Sequence, residues 1–232
     1  LDNHSPAPAV HRAQPAADSI TQATELGTIY TVDEISEISE VCRSNNLPLH
    51  MDGARLANAI VSMGAQIADC TWRAGVDILS LGATKNGVFS AEAVVFFDVS
   101  KAADFEFRRK RGGHLFSKLR FLSSQLVPYL ESNYWLKLAE NSNSRARELA
   151  QGLSKIKSIS ILADVQTNMI FLQMPTHFVD ILKKENCLFY SWGEKEGSIS
   201  ARFVTSFNTS KHEVAQVLSI IKRADSITKP KL

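Results

Sequence analysis

Two short polar stretches interrupt otherwise apolar segments. They are His50-Met51-Asp52-Gly53-Ala54-Arg55 and Ser80-Leu81-Gly82-Ala83-Thr84-Lys85-Asn86-Gly87. A lysine in a turn of small residues, just after an apolar strand, has two readings. Its stem is partly buried and its amine is a reactive nucleophile, or it is a solvated loop lysine. The glycines invite a phosphate loop. A Walker A loop, however, needs Gly-Lys-Ser/Thr, and Thr84-Lys85-Asn86-Gly87 runs the other way. With no GxGxxG either, nucleotide binding is not expected. His50 and Asp52 could share a strand face as metal ligands. No HExxH or Cys/His cluster accompanies them, and a strand-end aspartate more often caps a helix or accepts from a loop, so no metal is expected. The run Arg108-Arg109-Lys110-Arg111, with Lys118 beyond it, reads as a solvated helix face.

Composition narrows the partners. Lys plus Arg is 26 and Asp plus Glu is 24, a net charge of +2. No chain-wide field draws the protein to nucleic acid or an anionic membrane, and the short basic run has no aromatic platform beside it. Apolar runs reach about five residues, far short of the ~20 that span a bilayer. Cys42, Cys70 and Cys187 are widely spaced and in no metal pattern, which suits a reduced, cytoplasmic setting. The chain begins at Leu1 without the charged and apolar regions of a signal peptide. Residues 1–17, with Pro6, Pro8 and Pro15, read as an exposed loop.

The elements that must position the two polar stretches follow from hydrophobic period and caps. Ser19–Thr24 reads as a short strand. Thr31 and Glu34 form a capping box ahead of Ile35, Ile38 and Val41, predicting a helix over 32–45. Leu47–Met51 is a strand, with Asp52–Arg55 a loop at its carboxyl end. A helix at 56–63, a short helix at 69–74, a strand at 76–81, a turn at 82–87 and a strand at 93–97 follow. Strands apolar on both faces, alternating with helices, predict an α/β unit with a mostly parallel sheet. Both polar loops then lie at carboxyl strand ends, where ligands bind. Residues 100–155 read as helical, with breaks at Gly112-Gly113 and Pro128. Strands near 159–162, 168–173, 188–190 and 199–204, a helix opened by Pro175 and a last helix from Lys211 predict a small α+β domain. The division expected is 1–130 and 131–232.

Several stretches together carry a resemblance: LPLHMDGARLANA (47–59), DILSLGATKNG (77–87) and EAVVFFD (92–98), with SITQATELGTIY (19–30), RKRGGHLFSKLRFLS (109–123), FLQMP (171–175) and ARFVTSFNT (201–209). Taken along the chain they resemble, in the right order, the threonine aldolases, a pyridoxal-phosphate family of fold type I. The resemblance implies a large cofactor-binding domain, incomplete at its N-terminal side, and a small C-terminal domain. It implies pyridoxal 5'-phosphate held as a Schiff base by Lys85, with Asp52 keeping the ring nitrogen protonated. It implies Arg202 as the clamp on the substrate carboxylate, and Arg55 near the cofactor and that carboxylate. Lys110 and Lys118 are implied as a phosphate site reaching a neighbouring subunit, in a homo-oligomer expected to be a dimer of dimers. Family chains also carry a preceding region that supplies a Gly-Thr phosphate turn and a ring-stacking histidine, so no general base is assigned here. Ser90-Ala91 departs from the glycine often found before Glu92. His11 and Tyr30 lie in family loops near the site. Phe105, Phe107, Trp72, Trp135 and Trp192 read as packing or rim residues.

The activity implied is reversible cleavage of β-hydroxy-α-amino acids (threonine, allo-threonine, phenylserine) to glycine and an aldehyde. A related β-eliminating lyase or racemase is the alternative within pyridoxal-phosphate enzymes. A non-catalytic fragment that only assembles with other chains is the alternative of another class.

Overall fold

The computed structural model describes residue 11 and residues 13–227. Most of the loop expected over residues 1–17 lies outside the described residues; residues 13–17 are exposed and irregular. The chain forms two compact units. Of the described residues, one takes in those up to Thr24 and Tyr30–Tyr134; the other takes in Glu25–Ile29 and those from Trp135 onward.

In the first unit, β1 (Asp18–Thr21), α1 (Val32–Ser44), β2 (Leu49–Gly53), α2 (Leu56–Met63), β3 (Ile78–Gly82) and β4 (Glu92–Phe96) follow one another. The strands make one sheet in the order β1-β2-β3-β4. The first three run parallel and β4 runs antiparallel to β3. The short link from β3 to β4 carries one 3-10 turn rather than the dozen or more residues a parallel crossover needs, so the chain must turn back. Thr31 caps α1 as its sequence predicts: its hydroxyl accepts the Glu34 N–H at 3.2 Å and Glu34 accepts the Thr31 N–H at 2.7 Å. The Thr31 backbone N–H, then its hydroxyl, hold the Glu34 carboxyl below its ordinary value.

The expectation that these strands are apolar on both faces is corrected. Leu49, Met51, Leu79 and Leu81 are buried, while His50 and Asp52 between them are only half-buried. Side chains alternate with period two. Register therefore gathers Ser19, His50 and Ser80 with Thr21 and Asp52 on the second face. One face makes a core; the other carries these polar groups on β1 to β3, with Ile78, Val94 and Phe96 toward the β4 edge. Strand limits shift accordingly: Asp52 and Gly53 belong to β2 rather than to the loop after it.

Beyond β4 come α3 (Phe105–Arg111), α4 (Arg120–Ser123), α5 (Leu126–Leu130) and α6 (Tyr134–Leu153). The break expected at Pro128 is displaced. Pro128 sits in the first turn of α5, where its missing N–H costs nothing. The chain breaks instead at Ser132, whose φ is 52°.

The second unit continues from α6 with β5 (Ser160–Ile161), β6 (Met169–Pro175), α7 (His177–Lys184), β7 (Tyr190–Lys195), β8 (Ser198–Val204) and α8 (Lys211–Ile227). Its sheet has the order β5-β6-β8-β7 and is antiparallel throughout. Ile170, Leu172 and Met174 of β6 pack with Leu153, Phe178, Leu182 and Ile221 from the three helices. Pro175 ends β6 rather than opening α7. The strand expected at 188–190 runs from Tyr190 to Lys195 because the hairpin to β8 extends it. Thr167 Oγ1 donates to the Gly27 carbonyl at 2.8 Å and Gln166 accepts the Ile29 N–H at 2.8 Å, so Glu25–Ile29 is fastened to the start of β6.

Leu172 is fully buried in this core. Leu172→Ala is expected to cost about 2–5 kcal/mol in urea unfolding; a loss under about 1 kcal/mol would show that the second unit is not packed around β6.

Candidate functional site

The two polar loops meet at the carboxyl ends of β2 and β3. Asp52 pairs with Ser80 and Gly53 with Leu81. A Cβ on Gly82 would lie 2.5 Å from Ala54 Cα and 2.9 Å from its carbonyl oxygen. A Cβ on Gly53 would lie 2.8 Å from the Ser80 carbonyl oxygen. Only glycine admits such backbone approach, so the loop after β2 and the end of β3 are interlocked. Asp52 Oδ1 accepts the Ala54 N–H at 2.9 Å, which folds the loop back on its own strand. Among the described residues its other oxygen, Oδ2, has no hydrogen-bond partner. Arg55 stands at the N-cap position of α2 and is half-buried.

Lys85 is the middle residue of the 3-10 turn Thr84–Asn86. Glu92, at the head of β4, accepts the N–H groups of Ala83 and Thr84 at 3.1 and 3.2 Å. Asn86 Nδ2 donates to the Tyr129 hydroxyl at 2.8 Å. Burial pushes the Tyr129 phenol above its ordinary value, against the opposing pull of Asn86, so it is neutral near pH 7. Ala83 and Asn86 point inward and Lys85 is exposed, which corrects the expectation of a partly buried stem. The lysine is placed by its neighbours rather than by burial. Among the described residues its amine has no ion pair or hydrogen bond.

His50 lies two residues before Asp52 on the same face. Its Nδ1 is 2.8 Å from Ser19 Oγ and its Nε2 is 2.9 Å from Ser80 Oγ. Both ring nitrogens are thereby engaged across three strands. Among the described residues, no three His, Cys, Asp or Glu side chains converge as a metal would require.

Lys110 is exposed in the last turn of α3 and Lys118 is exposed beyond Gly112-Gly113. Arg109 of the same run is half-buried, with Nε sealed from water and without a partner among the described residues. Phe105 packs edge-on against Phe96 at 5.0 Å, but Phe107 is 73% exposed, correcting its expected packing role. Residues two apart point to opposite sides of a helix, so α3 half-buries Phe105 and Arg109 and turns Phe107 outward. His11 is exposed in a turn. The backbone of Tyr30 is clasped by buried Gln22, which donates to its carbonyl at 2.8 Å and accepts its N–H at 3.1 Å. Trp135 is buried, whereas Trp72 and Trp192 are about half exposed rims.

Arg202 belongs to the second unit. It lies on β8, on the face away from α6, α7 and α8, flanked in register by Phe171 and Tyr190. Its guanidinium carbon stands 4.8 Å from the Tyr190 ring centre. Its Nε is buried and has no partner among the described residues, so an anion arriving there would meet an unsatisfied donor. Asp52, Arg55 and Lys85 are thus brought to adjacent strand ends of one unit, while Lys110 and Lys118 lie along a different segment of it. Sequence reasoning missed Glu92, Asn86, Gln125 and Tyr129. Only Glu92 had a local signal, as an acidic residue opening a strand beside the turn.

Gly82→Ala forces a Cβ into backbone that cannot yield as a side chain can. It is expected to cost about 1–3 kcal/mol and lower the unfolding temperature by several degrees. An unchanged temperature would contradict the close approach of the two loops.

The family model described as beta-eliminating lyase matches residues 3–175. The chain is 38% identical over 213 residues to the low specificity L-threonine aldolase of Pseudomonas aeruginosa, spanning 92% of this chain and 61% of that protein. It is 29% identical over 175 residues to the low-specificity L-threonine aldolase of Candida albicans, across 74% of this chain and 44% of that one. The chain thus spans about three fifths or less of the length of these relatives. Among solved structures it is similar to the threonine aldolase of Leishmania major, with TM-score 0.86 and 27% identity over 94% of this chain and 64% of that one. A serine palmitoyltransferase of Sphingomonas wittichii shares the fold alone, with TM-score 0.66 and 13% identity over 96% of this chain and 58% of that one. The architecture is that of pyridoxal-phosphate enzymes of fold type I. With three quarters of its length matched, the chain belongs to the beta-eliminating lyase family.

Proposed function

We propose that this chain carries the lysine-bearing and small-domain portions of a pyridoxal-phosphate aldolase. The enzyme cleaves β-hydroxy-α-amino acids, such as threonine, allo-threonine and phenylserine, reversibly to glycine and an aldehyde. The supporting observation is the interlock that brings the Asp52 loop and the Lys85 turn to neighbouring strand ends. The residues of the first unit fit the cofactor: an exposed amine, and a carboxylate on the next strand whose second oxygen has no partner among the described residues. When bound, pyridoxal phosphate supplies an electrophilic carbonyl and a conjugated ring that accepts the electron pair of the breaking Cα–Cβ bond.

Each side chain has its own part. Lys85 would hold the cofactor through Nζ. Asp52 Oδ2 would accept the N–H of the cofactor ring, and its negative charge would hold a proton there. Arg202 clamps the substrate carboxylate, where a planar guanidinium offers two parallel donors, with Arg55 as second cation. Lys110 and Lys118 contribute to a phosphate site in a neighbouring subunit. The exposed apolar side chains of Phe107, Phe121 and Val127 support a homo-oligomer, with a dimer of dimers the proposed form. Residues 1–130 are the proposed cofactor-binding portion and 131–232 the small domain. Among the described residues no helix is long and apolar enough to cross a membrane. The free thiols Cys42, Cys70 and Cys187 support a cytoplasmic location.

The test is product analysis with threonine and phenylserine. Glycine and the matching aldehyde are expected in equal amounts; ammonia with a keto acid would mean β-elimination, and an inverted stereocentre racemisation. Lys85→Ala is expected to abolish turnover. Asp52→Ala is expected to retain some cofactor and lose about 100-fold or more in rate. Arg202→Lys, which keeps charge and loses the fork, is expected to raise KM about ten-fold or more. Unchanged kinetics in any of the three would remove that residue from its role.

A further inference from the structure

The turn that presents Lys85 is docked on one face of α5. The Phe89 N–H donates to Gln125 Oε1 at 3.0 Å, and Asn86 Nδ2 donates to the Tyr129 hydroxyl at 2.8 Å. Gln125 and Tyr129 are four residues apart, and the Tyr129 N–H reaches the Gln125 carbonyl at 3.3 Å, closing one helical turn. Residues at that spacing project from the same face. Two bonds from one helix face thus grip the chain just after Lys85. Asn86 is 4% exposed and Tyr129 3%, so the deeper bond is shielded from water. There the loss of a partner costs more than at the surface. Lys85 is exposed and its stem is long and flexible. Its reach is therefore set by the backbone it hangs from. Glu92 fixes that backbone on the entering side through Ala83 and Thr84, and α5 fixes it on the leaving side.

We propose that Tyr129 and Gln125 are positioning residues for Lys85. Acting through Asn86 and Phe89, they keep the 83–89 turn seated so that the amine holds its place beside the Asp52 loop. The inference rests on the proposed covalent role of Lys85. A break at Tyr129 loosens the turn on one side and leaves the Glu92 bonds in place, so the lysine remains present but less well aimed.

The test measures the rate at which holoenzyme of the full-length protein releases pyridoxal phosphate, well below its unfolding temperature. Tyr129→Phe keeps the buried ring and removes the acceptor. It is expected to release cofactor about three- to ten-fold faster than the parent. Ile170→Val, a buried change in the second unit, serves as a control for general weakening and is expected to release at the parental rate. Asn86→Ala, which gives up a further contact of that residue as well, is expected to speed release at least as much, and adding Tyr129→Phe to it is expected to add little, as a shared interaction requires. Release from Tyr129→Phe no faster than from Ile170→Val, or additive effects in the double variant, would overturn the proposal. If Tyr129→Phe does not fold, Gln125→Leu carries the same expectation and the same contrary result. Lys85→Ala separates the two ideas. Parental retention in that variant removes Lys85 itself from the cofactor, whereas loss there with parental retention in Tyr129→Phe removes only the role of α5.

Discussion

Gly82 has no Cβ, and the space one would fill belongs to the backbone of Ala54. The positions of the Asp52 loop and the Lys85 turn both follow from that approach. β2 and β3 are parallel neighbours, so their carboxyl ends lie on one side of the sheet. Neighbouring strands alone, however, leave the loops beyond them free to diverge. The Gly82–Ala54 contact, with Gly53 seated against the Ser80 carbonyl, removes that freedom. The remaining hydrogen bonds elaborate the lock. Asp52 takes the Ala54 N–H on one side, and Glu92 takes two N–H groups of the turn on the other.

The sheet behind this lock has two unlike faces. Leu49, Met51, Leu79 and Leu81 anchor it to a core. The opposite face carries hydroxyls, an imidazole and a carboxylate in one register, with His50 bridging Ser19 and Ser80. A polar face is costly to bury without partners, and here the partners are built in. The second unit has a polar feature of its own on its sheet. Arg202 stands between Phe171 and Tyr190 with a buried donor that has no partner among the described residues.

Much of this was legible in the sequence because it is written in local rules. The Thr31–Glu34 cap, helix α2, the alternation of strand and helix and the two polar loops are short-range patterns, and the structure has them close to where period and capping place them. What was not legible depends on distant partners. Tyr129 meets Asn86 across 43 residues, and nothing in the sequence around either residue announces the other. Glu25–Ile29 groups with the second unit because Gln166 and Thr167 hold it there, a long-range choice no window can contain. The exposure of Lys85 was hidden for a related reason. A small-residue turn after an apolar strand suggests burial, but a 3-10 turn directs adjacent side chains apart, and Asn86 took the inward position.

The most direct measurement is peptide mass mapping after borohydride reduction of the full-length protein with pyridoxal phosphate. Reduction turns a lysine–cofactor imine into a stable adduct, and digestion reports which lysine carries it. One adduct per chain, on the peptide containing Lys85, is the predicted result. An adduct on another lysine, such as Lys110 or Lys118, or a chain that carries none, would contradict the assignment of the interlocked strand ends as the cofactor site.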